Sequence, residues 1–110
     1  MPKRSDKPYI ELPRSIFINE SFLKLSDSQK WLYVVLKECE HRYTGPKEDF
    51  FFRSNEDLAK DCGWTVKKLE RVKSQLLENK DLLFTWQMHW IDKNTGKKSE
   101  KHVTAYRLKI

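Results

Sequence analysis

The sequence predicts an α+β domain with a definite order of elements: a helix, a short strand, two further helices and a two-stranded hairpin. Three observations carry this. Apolar residues recur with a helical period over 26–43 and again over 65–77; the pattern becomes alternating over 82–91; and a glycine-bearing turn at 93–98 separates that segment from a last strand. A chain of 110 residues makes one such domain around one modest core.

Residues 1–8 are polar, with two prolines, and predict a basic flexible arm; residues 9–110 predict the folded domain. Tyr9 to Pro13 alternates, and Ile16, Phe17, Ile18, Phe22, Leu23 and Leu25 follow as an extended lead-in with one turn of helix. Ser26 then starts a helix, because Gln29 stands three residues later as a capping box requires. Leu32, Val35, Leu36, Cys39 and Tyr43 fall on its buried face, and Gly45-Pro46 stops it. Trp31 and Val34 lie beside that stripe. They form either a second packing face under the N-terminal segment or a surface for a partner.

Phe50 to Arg53 is a short run of strand formers. Ser54 caps a second helix with Glu56 and Asp57 in its first turn, where the helix dipole favours negative charge, and Gly63 ends it. Trp64 fills the turn. Thr65 caps a third helix whose inner face is Val66, Leu69, Val72 and Leu76, with Leu77 beside it; Trp64 and Leu69 are expected to be buried. The outer face carries Lys67, Arg71, Ser74 and Glu78, flanked by Lys68, Glu70 and Gln75. In the alternating segment Leu82, Phe84, Trp86, Met88 and Trp90 share one face, read as sheet core against the helices. Residues 93–98 make a turn with Gly96 placed for positive φ, and the last strand runs from about Lys101.

Composition excludes several classes. With 38% hydrophobic and 13% aromatic residues the chain can fold, and no apolar run approaches a membrane span. No secretory signal is visible, and two cysteines cannot frame a disulfide scaffold, so reduced thiols in the cytoplasm are expected. The net charge of +6 is uneven. Residues 8–62 hold eight basic and ten acidic side chains, whereas 93–110 hold six basic residues against Glu100 alone. A surplus at the ends suits a polyanion, nucleic acid above all; the plainer reading is a solvated surface that maintains solubility.

The stretch Leu58-Ala59, Gly63-Trp64-Thr65, Leu69, Arg71, Leu76-Leu77 and Leu82-Leu83 resembles bacterial winged helix DNA-binding domains. Tyr9-Ile10-Glu11-Leu12-Pro13 and Leu25 to Tyr33 are similar to the N-terminal domains of plasmid replication initiators and phage replisome organisers. The resemblance covers residues 9–110 and implies a winged helix-turn-helix that binds double-stranded DNA. It implies an origin-binding module or a small transcription regulator, with a homodimer compatible with either. Asp81 stands where that family often has glycine, which points to Asn79 in the left-handed conformation as the helix end.

On that docking the third helix offers Thr65, Lys67, Lys68 and Arg71 to the major groove, with Ser74 and Gln75 one turn later. Arginine and lysine match the guanine O6/N7 edge, and glutamine matches adenine. Lys93, Lys97, Lys98 and Lys101 in the wing are expected to contact phosphates, and Lys3 and Arg4 to lie weakly along a groove. Each has a plainer reading: a solvated helix face, lysines that discourage edge pairing of the hairpin, a loose basic terminus. The alternative function is a protein–protein interaction module of a replication or transcription complex, worked by Trp31, Val34 and the N-terminal apolar segment. Enzyme chemistry is not expected. Cys39, His41, Cys62, His89 and His102 form no ligand motif and no glycine-rich phosphate loop exists, so no metal, cofactor or small-molecule substrate is expected.

Overall fold

A computed structural model describes residues 12–44, 48–91, 96 and 98–110, with the backbone of 89–91 and 98–102 among them. A 3-10 turn (Arg14–Phe17) precedes helices α1 (Glu20–Leu23), α2 (Asp27–Tyr43), α3 (Asn55–Cys62) and α4 (Val66–Leu76). Strand β1 (Phe51–Phe52) lies between α2 and α3, and β2 (Leu83–Ile91) and β3 (Lys98–Leu108) follow α4. The lead-in is more helical than expected, because Asn19 caps α1 by accepting from the Phe22 N–H at 3.0 Å. The arm at 1–8, with Lys3 and Arg4, lies outside the described residues.

The capping box of α2 forms as the sequence requires: Ser26 Oγ accepts from the Gln29 N–H and Gln29 Oε1 accepts from the Ser26 N–H. Leu32, Val35, Leu36 and Cys39 are buried on the face that the helical period predicts. Tyr33, outside that stripe, is fully buried too. Its hydroxyl lies 3.2 Å from the Leu82 carbonyl and 3.1 Å from that of Ile110, so α2 is pinned to the residues bordering β2 and β3. Burial pushes this phenol up to about 12, which keeps it a neutral donor.

The antiparallel sheet has the order β1-β3-β2, with Phe51 opposite Tyr106 and Thr85 also opposite Tyr106. Cross-strand partners share a face. Phe51, Leu83, Thr85, Tyr106 and Leu108 therefore face the helices, and the Phe51 and Tyr106 rings stack at 5.4 Å. This corrects the expected sheet core. Phe84, Trp86 and Met88 stand on the outer face with Phe52, Val103, Ala105 and Arg107, and Phe84 is 52% exposed. Leu82 is buried, but it precedes β2 and does not share the strand's alternation. Both faces of β2 carry apolar residues. Pairing with Tyr106, and through it with Phe51, decides which one is covered.

Four further expectations change. Trp64 is half-buried at the edge of the core and Val66 is exposed, while Leu69, Val72 and Leu76 are buried as read. Asn79 does not enter the left-handed region, where only Gly63 and Gly96 stand among the described residues. The turn after α4 is held by side-chain bonds: Asn79 Oδ1 accepts from the Asp81 N–H and its Nδ2 donates to the Ser21 carbonyl. Lys98 begins β3 opposite Ile91, so it belongs to the strand and not to the turn.

Gly63 ends α3 at φ 76, and a Cβ there would meet nothing within 4 Å. The requirement for glycine is therefore conformational. Gly63→Ala is expected to lower stability by about 1–2 kcal/mol, read as an earlier urea midpoint with an unchanged slope.

Candidate nucleic-acid interface

A local cap starts α4 and the core seats it. Thr65 Oγ1 accepts from the Lys68 N–H at 3.2 Å, so the helix starts at Val66, and Leu69, Val72 and Leu76 seat it on the core. With Leu69 inward, helical geometry turns Lys67, Arg71, Ser74 and Glu78 outward, and all four are exposed. No acidic residue occupies the first turn of α4, in contrast to Glu56 and Asp57 in α3. The positive end of the α4 dipole thus adds to Lys67 and Lys68.

Not all of the expected readers are equally free. Lys68 is half-buried, with its ammonium 4.9 Å from the centre of the Trp64 ring. Such a cation–π contact holds the side chain back against the turn. Gln75 accepts from Gln29 Nε2 at 3.2 Å, which draws it toward α2. Thr65 is exposed, but its hydroxyl oxygen serves the cap. Lys67, Arg71 and Ser74 remain as the exposed set on one outward line. The Gln75 partner could not be foreseen from sequence, because Gln29 lies 46 positions away, whereas Trp64 stands only four residues before Lys68, a spacing that sequence can express.

The wing is the β2–β3 hairpin, paired from Leu83–Leu108 to Ile91–Lys98 with an irregularity between His89 and Ile91. Gly96 takes φ 69, as its turn was expected to need. Lys98 and Lys101 lie on β3; Lys93 and Lys97 lie outside the described residues. The root of the hairpin is bound to the helices by a residue that sequence reasoning passed over. Lys73, on the inner flank of α4, is 9% exposed and donates to Asn55 Oδ1 at 2.7 Å and Thr104 Oγ1 at 3.1 Å. Its helical neighbours Leu69, Leu76 and Leu77 place position 73 beside the apolar stripe, a signal that the usual exposure of lysine masks.

The segment before α3 is held firmly. Arg53 donates to Asp61 through Nε at 2.9 Å and Nη2 at 3.0 Å and lies 4.7 Å from the centre of the Tyr43 ring. These bonds to Asp61 raise the Arg53 pKa further above its ordinary value. Cys39 and Cys62 are buried free thiols. Burial, with the Asp61 charge adding to it, pushes each up to about 12, so neither carries much thiolate near neutral pH. Among the described residues no helix is long and apolar enough to cross a membrane.

Two solved structures are similar in fold. A chain described as the structure of a Rep–DNA complex matches with a TM-score of 0.55 and 19% identity over 93% of this chain and 74% of that one. An N-terminal domain of a DNA-binding protein matches with a TM-score of 0.56 and 20% identity, over 93% of this chain and 74% of that one. No protein-family model and no curated protein matches the sequence. The helix–turn–helix of α3, Gly63 and α4, followed by the β2–β3 hairpin and packed as in these two structures, is a winged helix fold.

Proposed function

We propose that the chain binds double-stranded DNA sequence-specifically, with α4 reading bases and the β2–β3 wing holding phosphates. The observation that carries this is the exposed line Lys67, Arg71 and Ser74, presented on a helix whose first turn has no acidic residue. The similar structures add support, since one is a Rep–DNA complex and the other the N-terminal domain of a DNA-binding protein. On this reading the domain is the origin-binding module of a plasmid or phage replication initiator, or a small transcription regulator. It works in the cytoplasm, without catalysis, a metal or a small-molecule substrate. Selection from random duplex DNA tests this directly. A recovered motif is the expected result, a palindromic one would indicate a homodimer, and failure to enrich any sequence would overturn specific reading.

The same reading predicts strong salt dependence. Each phosphate neutralised steepens the plot of log affinity against log salt by about 0.9 for duplex DNA. Titrations at low and moderate salt should therefore differ by orders of magnitude in affinity. Tight binding indifferent to salt would contradict the proposal.

A second reading as a protein-interaction module has its own observation. Phe17 and Ile18 are 69% and 79% exposed, and Leu23 and Trp31 are exposed nearby in sequence. Trp31 is tied to α3 through a bond from its Nε1 to the Cys62 carbonyl at 3.1 Å, which leaves part of its ring at the surface. The discriminating measurement is duplex binding by Phe17→Ser, which should be unchanged if DNA is the partner of α4 and the wing.

A further inference from the structure

Lys73 joins parts of the molecule that no other described side chain joins in the same way. Its ammonium reaches Asn55 in the first turn of α3 and Thr104 on β3 while its own backbone belongs to α4. It also lies 5.5 Å from the centre of the Tyr106 ring, and Gln87 Nε2 on β2 donates to the same Thr104 hydroxyl at 3.3 Å. The Thr104 hydroxyl therefore accepts from both, so that β3 meets the recognition helix directly at the Lys73 ammonium and β2 is joined to it through that hydroxyl.

The chemistry of this contact is unusual for a buried lysine. Asn55 and Thr104 are neutral acceptors, and none of the ion pairs among the described residues includes Lys73. Burial lowers its pKa, and the charge of Glu70 only partly opposes that shift. A buried charge without a paired carboxylate loses hydration that an apolar side chain of similar length would not need. Stability is therefore a poor reason for a lysine here. An anion site is a poor reason too. Lys73 lines a cleft of about 310 Å³ with Arg53, Ser54, Asn55, Glu56, Gln87 and Thr104. Arg53 is already engaged by Asp61, Glu56 adds a carboxylate to the lining, and the charge of Glu70 acts on the ammonium.

We propose that Lys73 is a positioning residue that locks the root of the wing to the recognition helix, so that both engage one duplex as a rigid pair. The inference rests on the duplex-binding reading above. The lever explains why the lock matters. Lys98 stands six residues from Thr104 along β3, about 20 Å away at strand spacing, so a swing of about 10° at the root moves that point by about 3.5 Å. That distance exceeds the tolerance of a hydrogen bond or close ion pair to a phosphate.

The experiment compares the unsubstituted 110-residue chain with Lys73→Met and Thr104→Val, the second removing one acceptor while keeping volume. Amide hydrogen exchange in the free protein comes first. Amides of β2 and β3 near Gln87 and Thr104 should exchange about tenfold faster in the variants, with α2 amides unchanged. Duplex titrations against salt follow, using a selected sequence. Both variants should lose salt slope by about one unit for each wing lysine disengaged. Lys98→Ala, which weakens binding of the unsubstituted chain, should then cost little more in the Lys73→Met background. Unchanged exchange at the wing root, or a Lys98→Ala effect of equal size in both backgrounds, would overturn the lock. Should Lys73→Met fail to fold, Thr104→Val decides by the same readouts. Absence of duplex binding by the unsubstituted chain would overturn the functional reading itself, and that result appears before any variant is compared.

Discussion

Leu69→Ala is expected to destabilise the domain by about 2–5 kcal/mol, the range for truncating a fully buried leucine whose cavity cannot collapse. Leu69 is 0% exposed and belongs to the one core cluster that includes Leu58, Val72, Leu76 and Tyr106. A domain of this kind is stable by about 5–15 kcal/mol in total, so the variant would lose a large share of it. Urea unfolding followed by tryptophan fluorescence measures the change, with the slope expected to stay constant. A loss below about 1 kcal/mol would mean that Leu69 is not packed as described. The result bears on the interface as well, because the inward direction of Leu69 sets the outward direction of Arg71 two residues on, about 200° around the helix.

Arg71→Ala is expected to cost about 1–3 kcal/mol on the preferred duplex and to relax preference at one position. Arg71 is exposed on the outward line of α4 and forms no ion pair among the described residues. A guanidinium matches two acceptors on one base edge, whereas a flexible ammonium mainly senses phosphate charge. Lys97→Ala and Lys98→Ala should accordingly weaken selected and random duplexes alike, each reducing the salt slope by about one unit. Competition assays with specific and random duplexes separate the two behaviours. If the wing lysines alter sequence preference while Arg71 does not, the wing is the reader and α4 faces the backbone or a protein.

The signals that were legible in the sequence are those that act within one turn of chain. Ser26 with Gln29, Ser54 with Asp57, Thr65 with Lys68 and Gly63 at φ 76 each need partners only three or four residues away, or none. Helix starts, the stop after α3 and the inward phase of Leu69 could be read for that reason. The outward line Lys67, Arg71 and Ser74 followed from that phase, since a helix fixes the angle between neighbours.

Tertiary structure alone decided which face of the sheet is covered. Phe84, Trp86 and Met88 alternate as cleanly as Leu83 and Thr85, and local pattern cannot rank two faces that are both apolar. The choice comes from Phe51 stacking on Tyr106, 55 positions away, and from Thr85 pairing with the same tyrosine. Long-range contact likewise drew Gln75 to Gln29 and buried Lys73 between Asn55 and Thr104. Their partners exist only once the helices and the hairpin have docked, and docking determines which of them remain free to meet DNA.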